Sequence, residues 1–324
     1  MAFENMRLSK TAKMIVEVCA EVKPGENVCI ATDTNKVAIA EVLASACHAV
    51  GAETVICIMT PRQAHGNEPP PMMAAAMKTA NVIIAPTTYS MSHTDARLAA
   101  KEAGARMVIL REITEDTFVN GAMTADYRQV FKESSVVAEL LTKASKIRMT
   151  SSAGTDITMS VAGRTAICVG GIIGPPRMST ALPAGEGAIS PAEGSTEGIL
   201  VVDHSSDGVG LLSEPLKLTI SKGQIVKAEG GKEAARFGEL ISTEGGTNIA
   251  EFAIGTNPNS RMQGNVMEDK VKRGCVHVAT GDNHTLGGSV NSNIHLDMVI
   301  LYPNVWLDDE AFLVNGEFTG KFAG

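Results

Sequence analysis

Up to about residue 145 the chain switches regularly between a helical and a strand-like apolar period, and beyond that point the switching stops. Residues 8–22 repeat with a helical period, 27–32 form a short apolar run, 37–50 are an Ala-rich helical stretch, and 53–59 read as a second strand. The pattern continues with helices at 71–79 and 94–103, strands at 82–85 and 106–110, and a helix at 125–144. Strands apolar on both faces and separated by helices imply a parallel sheet, so 1–145 is predicted to be an open α/β domain. From 146 to 324, Gly, Ser, Thr and Pro punctuate short strands at 199–203, 216–220, 224–228, 276–279 and 312–314, and only 232–241 looks helical. That texture predicts an antiparallel-rich α+β domain, and a chain of 324 residues has the length for two cores.

An open α/β domain that binds a dinucleotide carries a glycine-rich turn after its first strand. Here that place holds Ala31 to Lys36 with no glycine, so the test fails. Gly170, Gly171 and Gly174 are followed by Pro175 and Pro176, which disfavour a helix opening there, and they mark a loop. The polar stretch 87–93, after a strand's carboxyl end, reads as an ordinary surface loop. With 28 basic and 36 acidic residues, a net charge of −8 and 4% aromatic residues, the chain lacks the basic footprint of a nucleic-acid or anionic-membrane binder. It has no apolar run of membrane-spanning length and no signal-peptide core, which predicts a cytoplasmic protein. The six cysteines lie among apolar neighbours without Cys-x-x-Cys spacing, as expected in a reducing compartment.

The chemistry concentrates in the second half. Of seven histidines, His277, His284 and His295 fall close together, and His295 stands two residues before Asp297. The stretch 293–303 is β-rich, so His295 and Asp297 share one strand face and can reach one ion; imidazole and carboxylate suit first-row divalent metals. Glu251 sits among Ile249, Phe252 and Ile254, a setting with little water, where a divalent cation would relieve the cost of a buried carboxylate. Glu186 and Glu268 lie where loops meet strands, and taken alone read as solvated acidic turns. Cys275 could face the same side as His277, although a thiolate ligand is the weaker reading. His48, His65, His93 and His204 are scattered and receive no chemistry.

Several segments together carry a family resemblance: Pro-Ala-Gly-Glu-x-x-x-x-Pro at 183–191, Glu-Gly-Ile-Leu-Val-Val-Asp at 197–203, Ala-Glu-Phe-Ala-Ile-Gly-Thr-Asn-Pro at 250–258, Gly-Cys-Val-His-Val-Ala-Thr-Gly-Asp at 274–282, and the terminal His-Leu-Asp. In order and spacing they resemble the aminopeptidase T family of metallopeptidases. The resemblance implies a hydrolase with two divalent ions (zinc, manganese or cobalt), ligated by Glu186, Glu251, His277, His295 and Asp297. It also implies one further acid just upstream, Glu268 or Asp269, with Glu268 preferred. Glu251 or Asp297 would bridge the ions, and a metal-activated water would attack a peptide or small amide. The same resemblance implies a homodimer, with the N-terminal domain walling the site or supporting dimerisation. His284 stands where the family has a tyrosine and is assigned the oxyanion-stabilising role. A related branch resembles Fe(II)-dependent ring-cleaving 2,5-dihydroxypyridine dioxygenases; Glu186, Glu251 and Ala279 point to the aminopeptidase side, and the dioxygenase is the alternative reading. A metal-binding scaffold without activity is a third.

Overall fold

The structure, a computed structural model, describes residues 2–92, 94–174 and 178–320. His93, Pro175 and Pro176 lie outside the described residues. The chain divides into two compact units, Met1–Phe131 with Gly171–Ala184, and Lys132–Gly170 with Gly185–Gly324.

The first unit is built on a five-stranded parallel sheet in the order Glu53–Met59, Asn27–Asp33, Val82–Thr87, Arg106–Arg111, Ser179–Leu182. Its inner strands are buried almost throughout, as their unbroken apolar runs require. Helices Val37–Ala49, Pro71–Thr79 and Asp95–Glu102 alternate with the strands; the first buries Ile39, Leu43 and Cys47, and Thr94 caps the last by accepting from Arg97 N. Two features differ from the sequence expectation. The fifth strand, Ser179–Leu182, comes from far beyond residue 145; it is four residues long between loops, too short to show a period. In addition, helix Tyr127–Lys143 contributes Val137 and Leu141 to the second unit's core, so the break falls at 131 rather than 145. An amphipathic helix announces its apolar stripe but not the core that will receive it.

Two antiparallel sheets share one core in the second unit. The eight-stranded sheet runs from Gln224–Glu229 through Leu216–Ser221, Glu197–Val202, Asp156–Ser160, Lys146–Thr150, Asn304–Leu307 and Glu310–Val314 to Glu317–Phe318. The seven-stranded sheet has the order Gly210–Leu211, Ser205–Ser206, His295–Ile300, Val276–Gly281, Ile249–Gly255, Glu186–Ile189, Ile167–Val169. Side chains alternate faces along a strand. Phe252 and Ile254, Val276 and Val278, and Met298 and Ile300 therefore enter the core, while Glu251, His277 and Asp297 stand on the opposite face. Truncating Phe252 to Ala would cost about 3–5 kcal/mol, so the core side of each strand fixes which way its polar side points. Among the described residues no helix is long and apolar enough to cross a membrane.

Candidate metal centre

Strand register assembles the polar face. Glu251 lies opposite Ala279, and Ala279 opposite Asp297; one step along, Ala253 lies opposite His277; Gly281 lies opposite His295, and Gly255 opposite Glu186. Ala279 is fully buried and extends only a methyl group between the two acids that flank it. The ligand atoms form two groups sharing Glu251: Glu186, Glu251 and His277, and Glu251, His295 and Asp297, each group lying within 4.8 Å.

Both rings are oriented by backbone carbonyls. His295 Nδ1 lies 2.7 Å from Asp282 O, and His277 Nδ1 lies 3.3 Å from Lys270 O. A carbonyl only accepts, so each Nδ1 carries a proton and each Nε2 is directed at the acids. His277 Nε2 donates to Glu251 Oε1 at 3.3 Å and His295 Nε2 to Glu251 Oε2 at 3.0 Å. Asp297 Oδ1 lies 3.8 Å from His277 Nε2 and 3.5 Å from His295 Nε2, and Glu186 Oε2 lies 3.9 Å from His277 Nε2.

Without metal these groups hold one another ionised. Burial would lift the Glu251 carboxyl, but hydrogen bonds from His277 and His295 keep it well below the usual carboxylate range. Burial would also lift Asp297, and the Lys270 ammonium and the two imidazoles hold it far down instead. On the histidines burial acts downward and is overcome, for His277 by Asp297 first and for His295 by the nearby Asp297 and Glu251 carboxylates, so both rings retain a proton more firmly than usual. A metal would take the place of those protons.

Whether these residues suit a cation can be read from their oxygens. Glu186 Oε2 and Asp297 Oδ1 are buried with no hydrogen-bond partner, a costly state for a carboxylate, and both sit around His277 Nε2. Two imidazoles and three carboxylates with two orphaned oxygens fit a divalent cation.

Glu268 does not join them. Asn265 caps the short helix Val266–Asp269, which turns Glu268 toward Arg261: the carboxylate accepts from Arg261 N at 3.2 Å, Nε at 3.1 Å and Nη2 at 3.1 Å. Its neighbour Asp269 accepts from Ser205 Oγ at 2.8 Å, Gln263 N at 2.9 Å and Gly264 N at 3.0 Å, with His204 Nε2 3.1 Å away. Donors already surround both acids. Cys275 is kept a thiol, since burial pushes it up to about 12. His284 sits exposed on the 3-10 turn His284–Leu286 that follows the His277 strand, its backbone N–H donating to Asp282.

One member of the cluster escaped the sequence reading. Lys270, 6% exposed, places Nζ 2.8 Å from Asp297 Oδ2 and 3.7 Å from Glu186 Oε1. In the run Glu-Asp-Lys-Val-Lys-Arg it looks like part of a solvated charged turn, and nothing in that run marks it as buried.

The same fold occurs in known proteins. A 2,5-dihydroxypyridine dioxygenase structure from Pseudomonas putida KT2440 superposes with a TM-score of 0.83 at 19% identity, covering 99% of each chain. AmpT from Thermus thermophilus superposes with a TM-score of 0.71 at 16% identity, over 97% of this chain and 99% of that one. At such identities the two likenesses show a shared fold. In sequence, the 2,5-dihydroxypyridine 5,6-dioxygenase of Pseudomonas putida KT2440 is 24% identical over 262 residues, 75% of this chain and 72% of that protein. The pattern of the family described as 2,5-dihydroxypyridine 5,6-dioxygenase matches residues 7–320. These matches overturn the peptide-hydrolase expectation, and with it the aminopeptidase and protease assignment and the peptide substrate. Glu186 and Glu251 belong to the groups that could hold a metal ion, and Ala279 lies in register beside Glu251; a set of candidate ligands does not fix the reaction. Matched from residue 7 to residue 320, the chain belongs to the 2,5-dihydroxypyridine 5,6-dioxygenase family.

Proposed function

We propose that this protein uses a ferrous ion to open the ring of a hydroxylated pyridine with molecular oxygen. The observation that carries the reading is the pair of imidazoles about Asp297 Oδ1, at 3.5 and 3.8 Å, since two histidines and one carboxylate are the donor set of non-haem iron oxygenases. His277, His295 and Asp297 would hold the ion, with Glu251 and Glu186 beside it. When bound, such an ion supplies a place where dioxygen and an electron-rich ring can exchange electrons. The protein's own work is to aim both Nε2 atoms through the Asp282 and Lys270 carbonyls and to keep the carboxylates ionised. His284, on its exposed turn, is the candidate to exchange a proton with a ring hydroxyl.

The test is anaerobic loading with Fe(II), addition of 2,5-dihydroxypyridine and air-saturated buffer, and measurement of oxygen uptake with loss of the ring's absorbance. Uptake matched to ring loss supports the reading; a folded, iron-loaded protein that consumes no oxygen with any dihydroxypyridine sinks it. His284→Ala should lower kcat by roughly 10²-fold with iron content unchanged. Unaltered kcat would remove His284 from the chemistry.

A further inference from the structure

The cluster poses a counting problem. Two overlapping ligand groups share Glu251, an arrangement that invites one ion in each with Glu251 as the bridge. Three buried carboxylates, Glu186, Glu251 and Asp297, are also more negative charge than one dication neutralises. Lys270 bears on both points. Its ammonium is buried and touches one outer carboxylate of each group, Glu186 Oε1 at 3.7 Å and Asp297 Oδ2 at 2.8 Å. The oxygens left over, Glu186 Oε2 and Asp297 Oδ1, are the two without hydrogen-bond partners, and both sit near His277 Nε2.

We infer that Lys270 is a built-in second cation that limits this centre to one metal ion. One ammonium and one dication balance three carboxylates with the imidazoles neutral; a second dication would leave an excess of positive charge in a dry site and would meet the ammonium at close range. The side chain also engages one oxygen of each outer carboxylate, so it competes for the donors a second ion needs. The carbonyl of Lys270 orients His277, which ties the position of the ammonium to that of the metal-facing ring. This inference rests on the metal-binding reading of the site and adds to it the residue that sets the number of ions.

The experiment is a Mn(II) titration of the full chain, with bound metal measured after gel filtration and the electron paramagnetic resonance spectrum recorded. Wild type should bind one ion per chain with the hyperfine pattern of an isolated Mn(II). Lys270→Met should gain a second ion, at least ~100-fold tighter than any second site in wild type, with a spin-coupled signal; Lys270→Arg, which keeps the charge, should remain at one. A spin-coupled pair in wild type overturns the role of Lys270 while leaving the metal site standing, and so does a folded Lys270→Met that stays at one ion. Absence of any bound ion in wild type overturns the metal reading itself. Should Lys270→Met fail to fold, the wild-type count and spectrum decide.

Discussion

The second unit holds two groups of buried acids whose environments differ. Glu268 and Asp269 are 2% and 0% exposed; Glu186, Glu251 and Asp297 are 4%, 5% and 2% exposed. Burial does not distinguish them; oxygens left without a donor do. Glu268 has a guanidinium and a backbone N–H, and Asp269 has a hydroxyl and two backbone N–H groups. In the other group Glu186 Oε2 and Asp297 Oδ1 have no hydrogen-bond partner and lie 3.5–3.9 Å from imidazole nitrogens. A carboxylate surrounded by donors has little left to offer a cation, whereas carboxylates that converge with oxygens left unpartnered could hold one.

This contrast can be broken most severely at Glu251, the acid common to both ligand groups. Glu251→Ala should drop bound metal to background and oxygen uptake with it, with the circular dichroism spectrum intact; metal retained at wild-type level would dissolve the distinction. Next in size is Asp269→Ala, expected to cost about 3 kcal/mol in denaturant unfolding by stranding donors in the interior while leaving the metal count unchanged. Glu186→Gln is the mirror experiment. It should weaken metal binding, yet leave the metal-free melting temperature unchanged or raised, because it removes a buried charge whose Oε2 has no partner. A large loss of metal-free stability in that variant would place Glu186 with the scaffolding acids.

The smallest effect concerns a satisfied acid nearer the surface. Burial acts upward on Glu193, but Ser289 N–H, the Asn283 amide and Arg164 outweigh it and bring the carboxyl from 4.5 to about 2. A group depressed in the folded state contributes stability that is present above its unfolded pKa and is lost as pH falls through the folded one. The stability gap between wild type and Glu193→Gln should therefore be full at neutral pH and should close between about pH 4.5 and 2. A pH-independent gap would mean that the charge of Glu193 does not hold the turn bearing His284.

Much of this was legible in the order of residues. Alternating periods foretold the parallel sheet, because buried strands and amphipathic helices are written locally. His295 and Asp297, two apart on a strand, had to share a face. Glu251, flanked by Ile249, Phe252 and Ile254, had to be poorly hydrated. Lys270 was hidden because its burial comes from strands distant in sequence closing over it, and Ser179–Leu182 because four residues carry no period. The choice of reaction was misread for a different reason. Acids and imidazoles that converge report what a cation would need, whereas the family match extends over residues 7–320, far beyond the candidate ligands.

Ala279 gives the centre a hidden dimension. Standing in register between Glu251 and Asp297, it donates no ligand atom, yet its shortness keeps the two acids facing a common space. The socket is thus partly a cast of what residue 279 leaves out, and its capacity could be altered without touching a single ligand. A longer aliphatic chain there would fill the space the two acids face, and a side chain ending in a donor atom would add a further group to it. The centre is therefore tunable at a residue that a survey of acids and histidines alone would overlook.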